Sequence, residues 1–370
     1  MFGGLLARDS AIAVELGAAG LRAGQVRRAR GRTSVTDSLS IEFPASECTV
    51  GDSGPLLDSA RVARLAGAGA FRGRDVTLIL SPPEVHFQTL GMPAAVLALP
   101  DARVEQALLL EVTRETRLDP SDLEVRHWQL PAGHREEANV MCVAISRSKV
   151  VGWASELERC GLWLRRVDVT PCALARRAMA ESPPPTDSVW GVLDMGMRRC
   201  VLTLLIGDTP VYVRALQQSA GAWTQAIASA FEVSLGEAEM IKRTVGMNSP
   251  GAAPRVNRAA DLERIEGVGP LVFGLLNDSV QSLIRSINLC FAYVLENYPD
   301  RSAGKLVLAG GGAQLPGLIE YLQEFLDLPV EPIAGDQSSP TAAFANSPAA
   351  LRVELAGVLG AALLDVGGAA

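Results

Sequence analysis

The chain has 370 residues, 48% of them apolar and 20% charged, with a net charge of −7. That is enough apolar material for two or three packed domains and argues against wholesale disorder. The acidic balance excludes nucleic acid as the main partner, which needs a clustered basic footprint. No run approaches the ~20 apolar residues of a membrane span, and Arg8, Asp9 and Glu15 interrupt the N-terminus too early for a secretory signal. Six cysteines without a Cys-x-x-Cys pair fit a reducing compartment. A cytoplasmic setting is therefore expected, with membrane contact only through a partner.

In chain order, Ala11–Val26 reads strand, turn, strand, and the basic run Arg27-Arg28-Ala29-Arg30-Gly31-Arg32 reads as a solvated hairpin or a docking spot for an acidic partner or lipid. Leu56–Ala70 has a helical pattern and Val76–Leu80 is a short apolar strand. Ala102–Thr116 is an amphipathic helix with Val104, Leu108 and Leu109 on one face. Strands are expected at Arg126–Leu130 and Val140–Ile145, then a helix at Lys149–Cys160 ended by Gly161. Glu181–Asp187, with three consecutive prolines, is the clearest linker. Beyond it come helices at Trp223–Phe231 and Gly236–Thr244, a Pro/Gly-rich break at Met247–Val256, and a long apolar helix or helix pair at Val268–Asn297. Leu306–Ala309 is a strand, Pro316–Leu326 a helix and Leu351–Leu364 a small-residue helix. Strands alternating with helices in two halves predict an α/β fold.

Four motifs carry the functional reading. The stretch Val192-Leu193-Asp194-Met195-Gly196 ends an apolar strand in a carboxylate and a glycine turn, and Ile12-Ala13-Val14-Glu15-Leu16-Gly17 repeats that pattern half a chain earlier. Two such turns suggest a duplicated fold gripping one ligand from both sides, although each alone is also an ordinary tight hairpin. Gly310-Gly311-Gly312 lies between a strand and a helix, where bare backbone approaches a ligand closely. Glu239 and Lys242, followed by Arg243, share one helix face, as would a surface ion pair.

In this order the four resemble the actin-like ATPase superfamily and, within it, the PilM family of type IV pilus assembly. The resemblance covers nearly the whole chain. It is most specific in ALLLEVTRETRLDPSDLEVRHWQL (107–130), WGVLDMGMRRCVLTLLIGDTPVYVRALQQSAGAWTQAI (190–227), EVSLGEAEMIKRTVG (232–246) and VLAGGGAQLPGLIEYLQEFLDLPVE (307–331). It implies a duplicated, ribonuclease H-like fold with an inserted FtsA-like small subdomain. The first large domain would span 1–83, completed by 162–185 and 345–370. The insert would span 84–161, and the second large domain, with its nucleotide-side subdomain, 186–344. It further implies ATP with Mg²⁺: Glu15 and Gly17 in one phosphate turn and Asp194 and Gly196 in the other. The two carboxylates would lie near Mg²⁺ through water. Gly221 would belong to a Gly-Gly turn followed by a threonine, here Thr224. Glu239, Lys242 and Arg243 would flank ribose and adenine, and Gly310, Gly311, Gly312 and Gln314 would close the other side. The implied role is a cytoplasmic scaffold docking the N-terminal segment of a PilN-like inner-membrane protein, with self-association possible.

The chain departs from the family pattern in ways that weaken hydrolysis. The usual Asp-Ile-Gly-Ser-Ser-Ser is here Glu15-Leu16-Gly17-Ala18-Ala19-Gly20, without its hydroxyls. Met197-Arg198-Arg199 replaces small or hydroxyl residues, and Ala220 replaces the first glycine of its pair. Each lost hydrogen bond is worth about 0.5–1.5 kcal/mol, which the arginines offset in part. Two related readings stay open: a type II secretion scaffold, and an active small-molecule kinase using Asp168. A chaperone ATPase would need a long substrate domain after Gly312, where 58 residues follow, and an FtsA-like filament protein would end in a basic amphipathic helix, where Leu351–Ala370 is Gly/Ala-rich. Gly51-Asp52-Ser53-Gly54-Pro55 resembles the nucleophile loop of trypsin-like proteases, but His86, His127 and His134 all follow it.

Overall fold

The computed structural model describes residues 7–30, 32–43, 59–68, 70–116, 119–134, 139–248, 268–333 and 353–366. The protease-like stretch 51–55 and Cys48 lie outside them. The chain opens with β1 (Arg8–Asp9), β2 (Ile12–Gly17), β3 (Gly20–Ala29), β4 (Arg32–Glu42), α1 (Ser59–Ala68) and β5 (Asp75–Leu80). A small unit comes next: β6 (Val85–Leu90), α2 (Ala94–Leu97), α3 (Asp101–Thr116), β7 (Leu123–Gln129), β8 (Val140–Ser146) and α4 (Arg147–Arg159). Then come β9 (Trp163–Val169), α5 (Thr170–Glu181), β10 (Ser188–Met195), β11 (Cys200–Ile206), β12 (Thr209–Leu216), α6 (Ala220–Phe231) and α7 (Leu235–Val245). The last elements are α8 (Gly269–Asn297), β13 (Ser302–Ala309), α9 (Leu318–Phe325), β14 (Val330–Pro332) and α10 (Ala356–Val366).

Two of the three sheets repeat one topology. In the first, β4, β3, β2, β5 and β9 lie side by side, antiparallel through β2 and parallel beyond it, with β1 extending β2's edge of β3. In the second, β12, β11, β10, β13 and β14 show the same order and the same change of direction. The duplication inferred from two short turns thus extends to whole sheets. The third sheet, β6-β8-β7, is antiparallel and packs on α3 through Val104, Leu108 and Val112.

Local signals explain the element ends. Ser146 caps α4 by accepting from the Lys149 amide, and Gly161 takes a left-handed φ of 74° just beyond the helix. Ser234 and Glu237 form a reciprocal capping box at the start of α7. The apolar stretch from Val268 is one 29-residue helix, not a pair, because Val272, Leu276, Val280, Leu283 and Ile287 make one continuous buried stripe.

Helices α5 and α10 lie between the two large sheets. One side of the layer packs Val358, Leu359 and Ala361 on Ala13 and Ile79 of the first sheet. The other packs Leu174, Ala175 and Ala356 on Trp190, Val192 and Val307 of the second. The helices touch backbone to backbone: a Cβ on Gly360 would stand 1.9 Å from the Ala173 carbonyl. The small residues of the last segment are therefore a packing device, and the two hairpins they support face one another. The small sheet is tied to the second half as well. Trp128 Nε1 donates to Pro210 O at 2.8 Å, Tyr298 Oη to Pro131 O at 3.1 Å, and the His134 amide to Asn297 O at 2.7 Å.

Candidate functional site

The β2–β3 and β10–β11 hairpins project into a cleft of about 640 Å³ between the two large sheets. Glu15 lies two residues before the end of β2, and a two-residue turn at Ala18-Ala19 sets the register so that Glu15 stands opposite Arg22 on β3. Asp194 occupies the matching position on β10. Its hairpin is closed by a Gly196 amide donating to Arg199 O at 3.0 Å, where a Cβ on Gly196 would come within 2.8 Å of that carbonyl. Both carboxylates are half-buried and line the cleft with Gly17, Gly196, Arg22 and Arg198.

The charges in this space face one another without closing into ion pairs. Glu15, Asp194, Arg22 and Arg198 make no ion pair among the described residues. Arg22 Nε and Arg198 Nη1 are buried with no hydrogen-bond partner. Burial pushes the Asp194 carboxyl up to about 7; the Glu15 charge adds to the rise and Arg22 opposes it. Burial likewise raises Glu15, against the pull of Arg22. Two carboxylates lacking a cation beside two guanidiniums lacking an anion form a set that a hydrated divalent cation and a phosphate chain would satisfy. Mg²⁺ and a nucleoside phosphate therefore fit the residues present.

Each carboxylate is backed by a glycine from elsewhere in the chain. A Cβ on Gly310, whose φ is 80°, would lie 2.4 Å from Asp194 Oδ1, and one on Gly357 would lie 3.0 Å from Glu15 Oε2. Gly310, Gly311 and Gly312 line the cleft, and Gly312 fits against the Met195 backbone. Across from them, α7 presents Glu239, Lys242 and Arg243. Lys242 is almost wholly buried. Its Nζ reaches Glu239 Oε2 at 2.6 Å, Thr224 Oγ1 at 2.7 Å and Ala220 O at 3.0 Å, which uses all three donors. Burial lowers its pKa, against the attraction of Glu239. Glu239 is held below the usual carboxylate range: burial opposes ionisation, but Lys242, Thr224 and Arg243 together outweigh it. Lys242 thus pins α7 to the first turn of α6, leaving Arg243 and Met240, both exposed, toward the opening.

The other candidate residues stand outside this lining. The Gly221 amide donates to Met197 O at 2.9 Å, and a Cβ there would meet that oxygen at 2.5 Å, so Gly221 lets α6 brace the second hairpin from behind. Gln314 is turned toward Glu354, 3.4 Å away. Asp168 is buried, ion-paired with Arg176 and accepting from the Val169 amide, and does not line the cleft. That gives it the structural role rather than the kinase one. Arg22 and Gly357 are the residues that motif reading passed over. Arg22 was within reach, since a two-residue turn pairs positions summing to 37, whereas Gly357 is placed only by the tertiary fold.

A duplicated sheet pair with acid-bearing hairpins around a common cleft defines an actin-like ATPase fold. Residues 97–250 match the family model "Type IV pilus assembly protein PilM". The chain is similar to a solved PilM-PilN type IV pilus biogenesis complex, at 26% identity over 97% of this chain and 99% of that one, with a TM-score of 0.72. By these two comparisons the chain is similar to the PilM family, with the family-model match falling on its central part. It is more distantly similar to the ethanolamine utilization protein EutJ from Carboxydothermus hydrogenoformans, at 14% identity, 98% and 91% coverage and a TM-score of 0.49. The cytoplasmic domain of EpsL, an inner-membrane component of the Vibrio cholerae type II secretion system, gives 13% identity, 60% and 76% coverage and a TM-score of 0.39. No curated protein sequence matches the chain. Among the described residues no helix is long and apolar enough to cross a membrane, and no group of three metal-ligating side chains is present.

Proposed function

We propose that this protein is a nucleotide-gated scaffold of type IV pilus assembly, in which ATP with Mg²⁺ binds between the two hairpins and occupancy, rather than turnover, sets the protein's shape. The observation that carries the reading is the meeting of unpaired Glu15 and Asp194 with the orphaned N–H groups of Arg22 and Arg198 in one cleft. Mg²⁺ would draw the two halves together by neutralising carboxylates that belong to different sheets. Arg22 and Arg198 would hold phosphate oxygens, Gly310–Gly312 would admit the nucleoside against bare backbone, and Arg243 would cover it from α7. Glu15 and Asp194, carried by the two hairpins, would hold the cation, and the first hairpin's Ala18-Ala19 turn offers no hydroxyl to the phosphates, which supports binding over hydrolysis.

The chain would divide into a first large domain (1–83 with 162–185 and 345–370), an insert (84–161) and a second large domain (186–344). Its partner would be the short N-terminal segment of a PilN-like inner-membrane protein, which would hold the scaffold at the membrane from the cytoplasmic side. The family-model match over residues 97–250 and the full-length similarity to a PilM-PilN complex support this partner. We place docking at the small sheet, where α3 leaves Leu110 exposed. The test is fluorescence anisotropy of a labelled N-terminal peptide of the PilN-like protein, with and without Mg²⁺ and ATP. Saturable binding weakened by Leu110→Glu is expected; a peptide that fails to bind under either condition would overturn the docking assignment.

A further inference from the structure

A second pocket, of about 410 Å³, opens at the opposite end of the first sheet. Strand β5 connects the two sites: Ile79 and Leu80 line the cleft, while Asp75 and Thr77 line this pocket. Five arginines surround it (Arg8, Arg72, Arg74, Arg165 and Arg166) on a protein whose net charge is −7.

The three aspartates of the pocket are already engaged. Arg27 donates to both oxygens of Asp9, at 2.6 and 2.7 Å. Arg165 Nε donates to Asp75 Oδ1 at 2.9 Å, and Arg166 Nη1 to Asp365 Oδ1 at 2.7 Å. The remaining Asp365 oxygen accepts from the Ala11 amide at 2.8 Å. Arg8, Arg72 and Arg74 are left with no ion pair among the described residues, and all three are exposed. The floor supplies an independent sign. Thr77 is 1% exposed, yet its Oγ1 has no hydrogen-bond partner. A buried hydroxyl costs free energy unless something in the pocket pairs with it. The basic run at 27–32 adjoins the same place, since Arg8 pairs in register with Arg28 at the end of the β3–β4 hairpin.

We propose that this pocket is a second anion site that binds a phosphoryl group, distinct from the nucleotide cleft. Guanidinium forks match phosphate oxygens in pairs, and a hydroxyl at the base supplies the neutral donor such a group accepts from. The phosphoryl group comes either from a soluble phosphate ester or from a phospholipid headgroup. In the second case the site would seat this face of the protein on an anionic membrane.

The test is calorimetric titration with inorganic pyrophosphate, paired with co-sedimentation on phosphatidylglycerol and phosphatidylcholine vesicles. Because pyrophosphate also suits the phosphate end of the cleft, every titration is repeated in an Arg198→Ala background. Binding is expected to persist in Arg198→Ala and to weaken about tenfold or more in Arg72→Ala/Arg74→Ala. Thr77→Val, which keeps the shape of the strand, should weaken it about threefold. The arginine double variant changes exposed side chains only, so its melting temperature and its ATP binding should match wild type. Co-sedimentation with the anionic vesicles alone, lost in the double variant, would assign the lipid source. Pyrophosphate binding without co-sedimentation would assign a soluble ester. Affinity unchanged in Arg72→Ala/Arg74→Ala, or no binding of either probe, would overturn the proposal. So would binding confined to a poly-glutamate peptide, which would assign the face to an acidic protein partner.

Discussion

The two hairpins share a topology and a carboxylate position but differ at their tips. After Glu15 the chain turns through Ala18-Ala19 with no hydroxyl or charge of its own, and its cation, Arg22, comes from the opposite strand. After Asp194 the turn itself carries Arg198 and Arg199. The first hairpin thus supplies a longer acid that faces an arginine of the opposite strand without an ion pair, and the second a shorter acid followed by two arginines in its own turn. Duplication preserved the frame, because each frame is buried in its own sheet. The tips are held from outside through backbone groups only, Met197 O by the Gly221 amide and Ala19 O by the Phe43 amide, which leaves their side chains free to differ.

The largest effect should come from the glycines behind the acids. Gly310→Ala forces a side chain into a backbone region open essentially only to glycine and against Asp194 Oδ1, at a cost of about 3 kcal/mol or more in urea unfolding. Gly357→Ala meets only the flexible end of Glu15 and gains helix propensity, so it should change stability by less than about 1 kcal/mol. Equal effects would break the asymmetry. Next comes Lys242→Met, which removes the pin found only in the second half. Glu239 keeps Arg243 and Thr224 and the Ala220 carbonyl keeps Thr224, so thermal unfolding should register a loss of about 2 kcal/mol.

Nucleotide affinity should separate the tips by smaller amounts. Arg198→Ala should weaken ATP binding about tenfold, roughly 1.4 kcal/mol. Ala18→Ser, which restores a hydroxyl to the first turn, should strengthen it by no more than about 1 kcal/mol.

The pH dependence sharpens the same contrast. The folded Asp194 carboxyl titrates at about 7 against an ordinary 3.8, so between those values the native state holds a proton that the unfolded state has lost. Without ligand, stability should therefore fall as pH rises from about 4 to 7 and level off above. Since the cleft admits water, the loss should be about 1–2 kcal/mol rather than the full value of the shift. Asp194→Asn should flatten most of this slope, and Mg²⁺ binding to wild type should strengthen through the same range as the proton leaves.

The frame of the site was legible in the sequence because glycine and acid at a strand end are a local signal. Glu15, Gly17, Asp194, Gly196 and the three glycines at 310–312 line one cleft. Lys242 was legible as a helix-face partner of Glu239, but its burial and its three acceptors depend on how α7 meets α6. Gly221 and Gln314 stood in the right motifs, yet one braces a hairpin and the other turns toward Glu354. Gly357 was hidden altogether: its neighbour Glu15 lies over 340 positions away, and within its own helix it reads only as a small residue. Strand β9 escaped notice because Arg165, Arg166 and Asp168 mask its apolar alternation.

The central claim is that carboxylates from two sheets bind one Mg²⁺-nucleotide. Calorimetric titration of ATP with Mg²⁺ into wild type and Asp194→Ala, with phosphate release followed in the same samples, tests it most directly. One-to-one binding in wild type, its loss in Asp194→Ala and negligible phosphate release are the predicted results. Equal binding by both proteins, or rapid release of phosphate, would contradict the claim.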